Sequence, residues 1–151
     1  MATSRRLLAA LSLGLLLACS GHRVVVRPAP SSPEATVGQF LAAVNANDHA
    51  RMAELFGDEN GPSTVTIKNA ARRDSVITIL QHVLVTDSAR VLGTEPVPGR
   101  PDRRLIRMDL FMADKRVAVP FTVAPQRRGG WLVAEIDILP LMPSANARPR
   151  P

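Results

Sequence analysis

Three carboxylates near the C-terminus, Asp109, Glu135 and Asp137, are the residue type that acts as general acid or base. Three histidines, His22, His49 and His82, add candidates for moving a proton near neutral pH. A proton shuttle needs a histidine held by a partner and facing substrate. His22 sits in a Pro-rich stretch, His49 follows a residue suited to capping a helix, and His82 falls on the polar side of a predicted helix. The carboxylates alternate with apolar residues and so share the polar face of a predicted sheet, where cross-strand ion pairs are the simplest role. No residue is assigned as catalytic; His82, His49 and Asp109 remain as candidates. The chain has one cysteine, no His-x-x-x-His and no carboxylate pair at ligand spacing, so no metal and no cofactor are expected. Ser31, Ser63, Ser75 and Ser88 lack the Gly-x-Ser-x-Gly context of an elbow nucleophile. Gly129-Gly130 precedes a strand instead of following one, which predicts a hairpin loop and not a phosphate cradle.

Charge and aromatic content narrow the partners. The chain has 151 residues, with 19 Lys+Arg against 13 Asp+Glu. All of these cations except Lys68 and Lys115 are arginines, and they are scattered, as in the separate pairs Arg72-Arg73, Arg103-Arg104 and Arg127-Arg128. With Phe40, Phe56, Phe111, Phe121 and Trp131 as its only aromatics, the chain lacks a base-stacking platform, and no nucleic-acid partner is expected. Anionic lipid or an acidic partner suits the charge better.

The N-terminus carries a leader pattern. Arg5-Arg6 is followed by the uncharged, mostly apolar run Leu7–Leu17. That run is shorter than the roughly 20 residues that span a bilayer and fits the apolar part of a secretory signal. Leu16-Leu17-Ala18-Cys19 then resembles the lipobox of bacterial lipoproteins. The resemblance implies cleavage after Ala18, diacylglycerol on the Cys19 sulfur and acylation of the new amino terminus. Two or more acyl chains anchor stably where one does not. Ser20 in place of an aspartate implies, by the same resemblance, the outer membrane facing the periplasm if the source is Gram-negative. Ser4-Arg5-Arg6-Leu7-Leu8 also half-resembles a twin-arginine export signal.

The remaining pattern divides into a lipid-anchored flexible tether over 19–32, a single α+β domain over 33–141 and a disordered basic tail over 142–151. Ser32-Pro33-Glu34 predicts a helix start, with N-cap, proline in the first turn and an acid at the positive end. Val37, Phe40, Leu41 and Val44 follow at helical spacing. Asp48 caps a short second helix with Met52, Leu55 and Phe56 as its stripe, Gly57 ends it, and 58–62 is a loop. A third helix is predicted over 69–85, with Val76, Ile79, Leu80, Val83 and Leu84 as its apolar face. From residue 88 the period becomes two, predicting strands near 88–95, 103–113, 115–124 and 130–139. A turn at Asp114-Lys115 pairs Ala113 with Arg116 and sets Ile106, Met108, Leu110 and Met112 against Val123, Phe121, Val119 and Val117. Pairing Ala124 with Trp131 adds Leu132, Ala134, Ile136 and Ile138 to that face. Pro120 inside a central strand predicts a bulge there or a different strand order.

The phrase from Ser32 to Asp48, the ending Leu55-Phe56 and the closing Gly130-Trp131-Leu132-Val133-Ala134-Glu135-Ile136 resemble the nuclear-transport-factor-2-like superfamily. That resemblance implies a curved antiparallel sheet wrapped around N-terminal helices, with a conical cavity between them. Its members include isomerases, cyclases, dehydratases and non-catalytic binding or assembly modules, so the fold does not choose a function. A cavity here would be lined by Met108, Met112 and Phe121. The expectation is a membrane-anchored envelope lipoprotein with a non-catalytic binding or assembly domain, meeting an envelope protein. The alternatives are a carrier or sensor of a small apolar ligand, and an isomerase- or cyclase-like enzyme.

Overall fold

The structure is a computed structural model that describes residues 27–113 and 115–142. The leader, Cys19, His22, Asp114 and residues 143–151 lie outside the described residues.

Helix α1, Pro33–Asn45, starts as its sequence predicts: the Ser32 Oγ accepts the Ala35 N–H at 3.1 Å. Its buried side, Val37, Phe40, Leu41 and Val44, crosses all four strands of the main sheet. Asn47, with φ of 53°, turns the chain, and the Asp48 carboxylate caps α2, His49–Leu55, by accepting the Arg51 N–H at 2.9 Å. The expected loop over 58–62 is a small ribbon: β1, Gly57–Asp58, pairs with β2, Gly61–Pro62. A single helical turn, α3, Ser63–Thr66, follows; the buried Ser63 hydroxyl donates to the Ala53 carbonyl at 2.8 Å and pins it to α2.

Helix α4, Ala70–Leu84, is capped by Asn69, whose Oδ1 accepts the Arg72 N–H at 3.0 Å. Its buried residues are Ile77, Leu80 and Leu84. Ile79, expected in the core, is 54% exposed, and Val76 and Val83 are half-buried. The five apolar residues of the predicted face, with Ile77 beside them, cover a wider arc than one contact can bury. The helix is rolled so that Ile77 goes inward and Ile79 is left out.

Strands β3, Ser88–Val97, β4, Arg100–Met112, β5, Lys115–Pro125, and β6, Trp131–Ile136, form an antiparallel sheet in that order. The β4–β5 register differs from expectation by two residues: Met112 pairs with Lys115, Leu110 with Val117, Met108 with Val119 and Ile106 with Phe121. A shift of two preserves which face each side chain occupies, so the apolar face survives. The β5–β6 pairing changes more. Ala124 pairs with Leu132 and Val123 with Val133; a register shift between Val123 and Thr122 then brings Ile136 opposite Phe121. Val133, and not Leu132 or Ala134, therefore joins the core face, and Leu132 is buried with Ala124 on the reverse face. An extra residue in one strand reverses the alternation on either side of it.

The bulge lies two residues from Pro120, not at it, and the strand order is the expected one. The Pro120 carbonyl accepts the Asp137 N–H at 3.0 Å. In a strand a residue's N–H and C=O point the same way, so the missing proline donor faces Asp137, just past the end of β6. The ladder loses one bond where it was already stopping.

The described part of the expected tether lies along the domain. Arg27 pairs with Asp48 at 3.3 Å, the Pro28 carbonyl is 3.5 Å from the Arg51 guanidinium, and Pro30 is buried. Gly130, with φ of 84°, leaves room for Ala29; a Cβ there would stand 2.5 Å from the Ala29 Cβ.

Candidate functional site

The three candidate catalytic residues go to three different places. Asp109 is on the sheet face opposite Met108 and Leu110. His82 is exposed on α4, its Nδ1 2.8 Å from the Thr78 carbonyl. A carbonyl only accepts, so that contact places the proton on Nδ1. His49 is exposed at the start of α2. Glu135 and Asp137 are exposed; the Asp137 carboxylate accepts the Leu139 N–H at 3.1 Å and shapes the turn after β6. Met108 and Phe121, proposed as cavity lining, are packed in the core, with Met112 half-buried against it.

Asp109 is the one of the three that is buried. Its side chain is 3% exposed although it lies on the face away from the helices. Arg116 Nε stands 2.8 and 2.7 Å from its two oxygens and Arg116 Nη2 2.6 Å from Oδ2; Arg90 Nη2 approaches Oδ2 at 3.1 Å. The register explains the geometry: Arg90 is directly opposite Asp109 on β3, and Arg116 reaches it diagonally from β5. Arg116 also lies over the Phe111 ring, 5.4 Å from its centroid. Hydrogen bonds from Arg116 hold the Asp109 carboxyl below its ordinary value against the opposing effect of burial, and Asp109 raises the Arg116 guanidinium in return. A carboxylate so engaged is a poor general base. The cluster ties three strands together.

Four clefts stand out among the described residues, and none is lined by Met108, Met112 or Phe121. One, of about 440 Å³, gathers His49, Glu54, Thr64, Arg73 and Asp74 between α2, α3 and α4. Its acids are already engaged: Glu54 with Arg51 at 2.9 Å and Asp74 with Arg73 at 3.1 Å. A second holds Arg27, Asp48 and Arg51 along the seated tether. A third joins Glu59 to Arg127 and Arg128. The fourth, of about 500 Å³, is lined by the apolar Phe56, Ile67 and Val76 together with Lys68, Asn69 and Arg72. Sequence reasoning placed Val76 in the core and did not single out Lys68 or Ile67. The available signal was the excess of apolar residues around α4.

Among the described residues no three His, Cys, Asp or Glu side chains gather to hold a metal ion, and no helix is long and apolar enough to cross a membrane. No family model matches the chain, and no curated protein or solved structure matches it.

Proposed function

We propose that the chain is an exported lipoprotein, anchored through lipid on Cys19, whose folded part is a non-catalytic binding or assembly domain in the cell envelope. The anchor rests on Arg5-Arg6, the apolar run and Leu16-Leu17-Ala18-Cys19. The non-catalytic part is carried by one observation: Asp109, His82 and His49 lie on the reverse sheet face, the exposed side of α4 and the rim of a helix-surface cleft. An isomerase or cyclase working between helices and sheet would need one of them there. The order of three longer helices and a four-stranded meander supports a nuclear-transport-factor-2-like plan for this domain. The carrier alternative gains support from the apolar cleft beside α4.

The test feeds alkyne-palmitate to producing cells and separates membranes by flotation. The native chain is expected to incorporate the label, float with membranes and lack residues 1–18. Cys19→Ala is expected to lose both label and flotation. A native chain that keeps residues 1–18 and takes up no label overturns the anchor.

A further inference from the structure

Around α4, burial departs from the sequence pattern in a directed way. Arg72, Val76, Ile79 and Val83 are spaced i, i+4, i+7 and i+11, so they form one stripe down the helix. From Val76 to Val83 it covers about 10 Å of axis. Three of its members are apolar, yet Ile79 is exposed and its two neighbours are only half-buried. The stripe shares Arg72 and Val76 with the cleft that Phe56 and Ile67 also line. Its charge is equally distinct. The other three clefts each include an acid, Glu54 and Asp74, Asp48, or Glu59, whereas this one includes none. Lys68 and Arg72 are exposed, and neither takes part in an ion pair among the described residues. The adjacent Arg73, by contrast, is paired with Asp74.

We infer that this groove binds a single-chain amphiphile with an anionic head, the head between Lys68 and Arg72 and the alkyl chain over Phe56, Ile67 and Val76 towards Ile79. The charges select a carboxylate or phosphate, because two exposed cations without an ion-pair partner among the described residues line the groove. The apolar floor selects an alkyl chain, because each methylene it removes from water favours binding. The volume is within the range of small-ligand sites. A long-chain fatty acid has this chemistry: one alkyl chain and one anionic head. The inference goes beyond the proposed anchor and does not depend on it.

The experiment places the full mature chain in phosphatidylcholine vesicles doped with one photoreactive diazirine probe: a long-chain fatty acid, a phosphatidylglycerol, or the neutral fatty alcohol. Adducts are then located by peptide mass spectrometry. Adducts from the fatty acid, concentrated in residues 56–83, are expected. The acid is expected to label, and the two-chain phosphatidylglycerol to label weakly by comparison. Lys68→Glu and Arg72→Glu are each expected to cut that labelling roughly tenfold, as for loss of one charge-assisted contact, while Lys68→Arg retains it. Both side chains are exposed, so the variants should melt with the native chain; labelling by Lys68→Arg guards against loss through misfolding. Equal labelling by the neutral alcohol, labelling by the phosphatidylglycerol but not the acid, adducts as frequent at the exposed Leu139 and Met142 as in residues 56–83, unchanged labelling in the Glu variants, or no labelling overturns the inference. Labelling of a chain that carries no lipid on Cys19 would sink the anchor and leave the groove standing.

Discussion

On the helix side of the sheet, Ile106, Leu110, Val119 and Phe121 are completely buried, and their side chains hold no polar atom. On the reverse side, Asp109 is buried almost as fully, but under two arginine side chains that are themselves more than half exposed. The first face is held by volume and excluded water, the second by charge geometry. Close-packed apolar surfaces respond to the loss of atoms. A charge cluster under exposed arginines responds to protonation and salt. Neighbouring residues of one strand, Met108 and Asp109, are therefore stabilised by forces with different dependence on conditions.

The largest effect that tests this contrast is expected on the helix side. Phe121→Ala should cost about 3–5 kcal/mol, the range for removing a buried aromatic, read from the denaturant midpoint at unchanged slope. The loss should be nearly the same at pH 7 and pH 5 and in low and high salt. A loss below about 1 kcal/mol would mean that the core around Phe121 collapses onto the gap, which a rigidly packed face should not do.

A smaller effect, with a distinct signature, is expected from Asp109→Asn. It leaves Arg90 and Arg116 facing a neutral group, so the melting temperature should fall by less than in Phe121→Ala. The deficit should shrink in 1 M salt, where charges are screened over about 3 Å. The native carboxyl is held below 3.8, its ordinary value, so between the two values the unfolded chain binds the proton first. The contribution of Asp109 is complete above the ordinary value and is lost as pH falls below it through the depressed native value. Glu34 and Glu59 are shifted in the same direction, so the native chain's acid transition contains all three. The difference between native and Asp109→Asn stability, followed from pH 6 downward, isolates Asp109. A difference that is flat with pH would show that the arginines do not engage the charged form.

The contrast also explains what the sequence could reveal. The helix-side face was legible because period two survives a two-residue register error: Leu110 faces inward whether its partner is Val119 or Val117. The β5–β6 register was not legible. The local sequence around Ala134 does not mark a bulge, and the bulge decides that Val133 and not Leu132 enters the core. Asp109 was placed on the correct face, but not its depth, since burial under Arg90 and Arg116 depends on a diagonal contact between strands. The Ser32, Asp48 and Asn69 caps lie where a short polar side chain precedes a helical run. The apolar groove was hidden because Val76 and Ile79 obey the same spacing as Leu80 and Leu84, and spacing alone does not say which way a helix is rolled.

The smallest effect tests that last point. Periodicity makes Ile79 a core residue, and replacing a core isoleucine with a small side chain costs about 2–5 kcal/mol. The structure leaves Ile79 54% exposed while Ile77, two residues earlier, is 2% exposed. Ile79→Ser should therefore change stability by no more than about 0.5 kcal/mol, as for surface positions in general. Ile77→Ser should destabilise strongly, both by losing packed atoms and by burying a hydroxyl. The two substitutions differ only in which side of α4 they touch, so propensity effects cancel between them. If Ile79→Ser costs as much as Ile77→Ser, α4 is rolled the other way. The apolar stripe beyond Arg72 would then be core, and no surface would remain for an alkyl chain to cover. If Ile79→Ser is silent for stability but weakens labelling by the fatty acid, the exposed flank is a binding surface in the same sense that the opposite flank is a core.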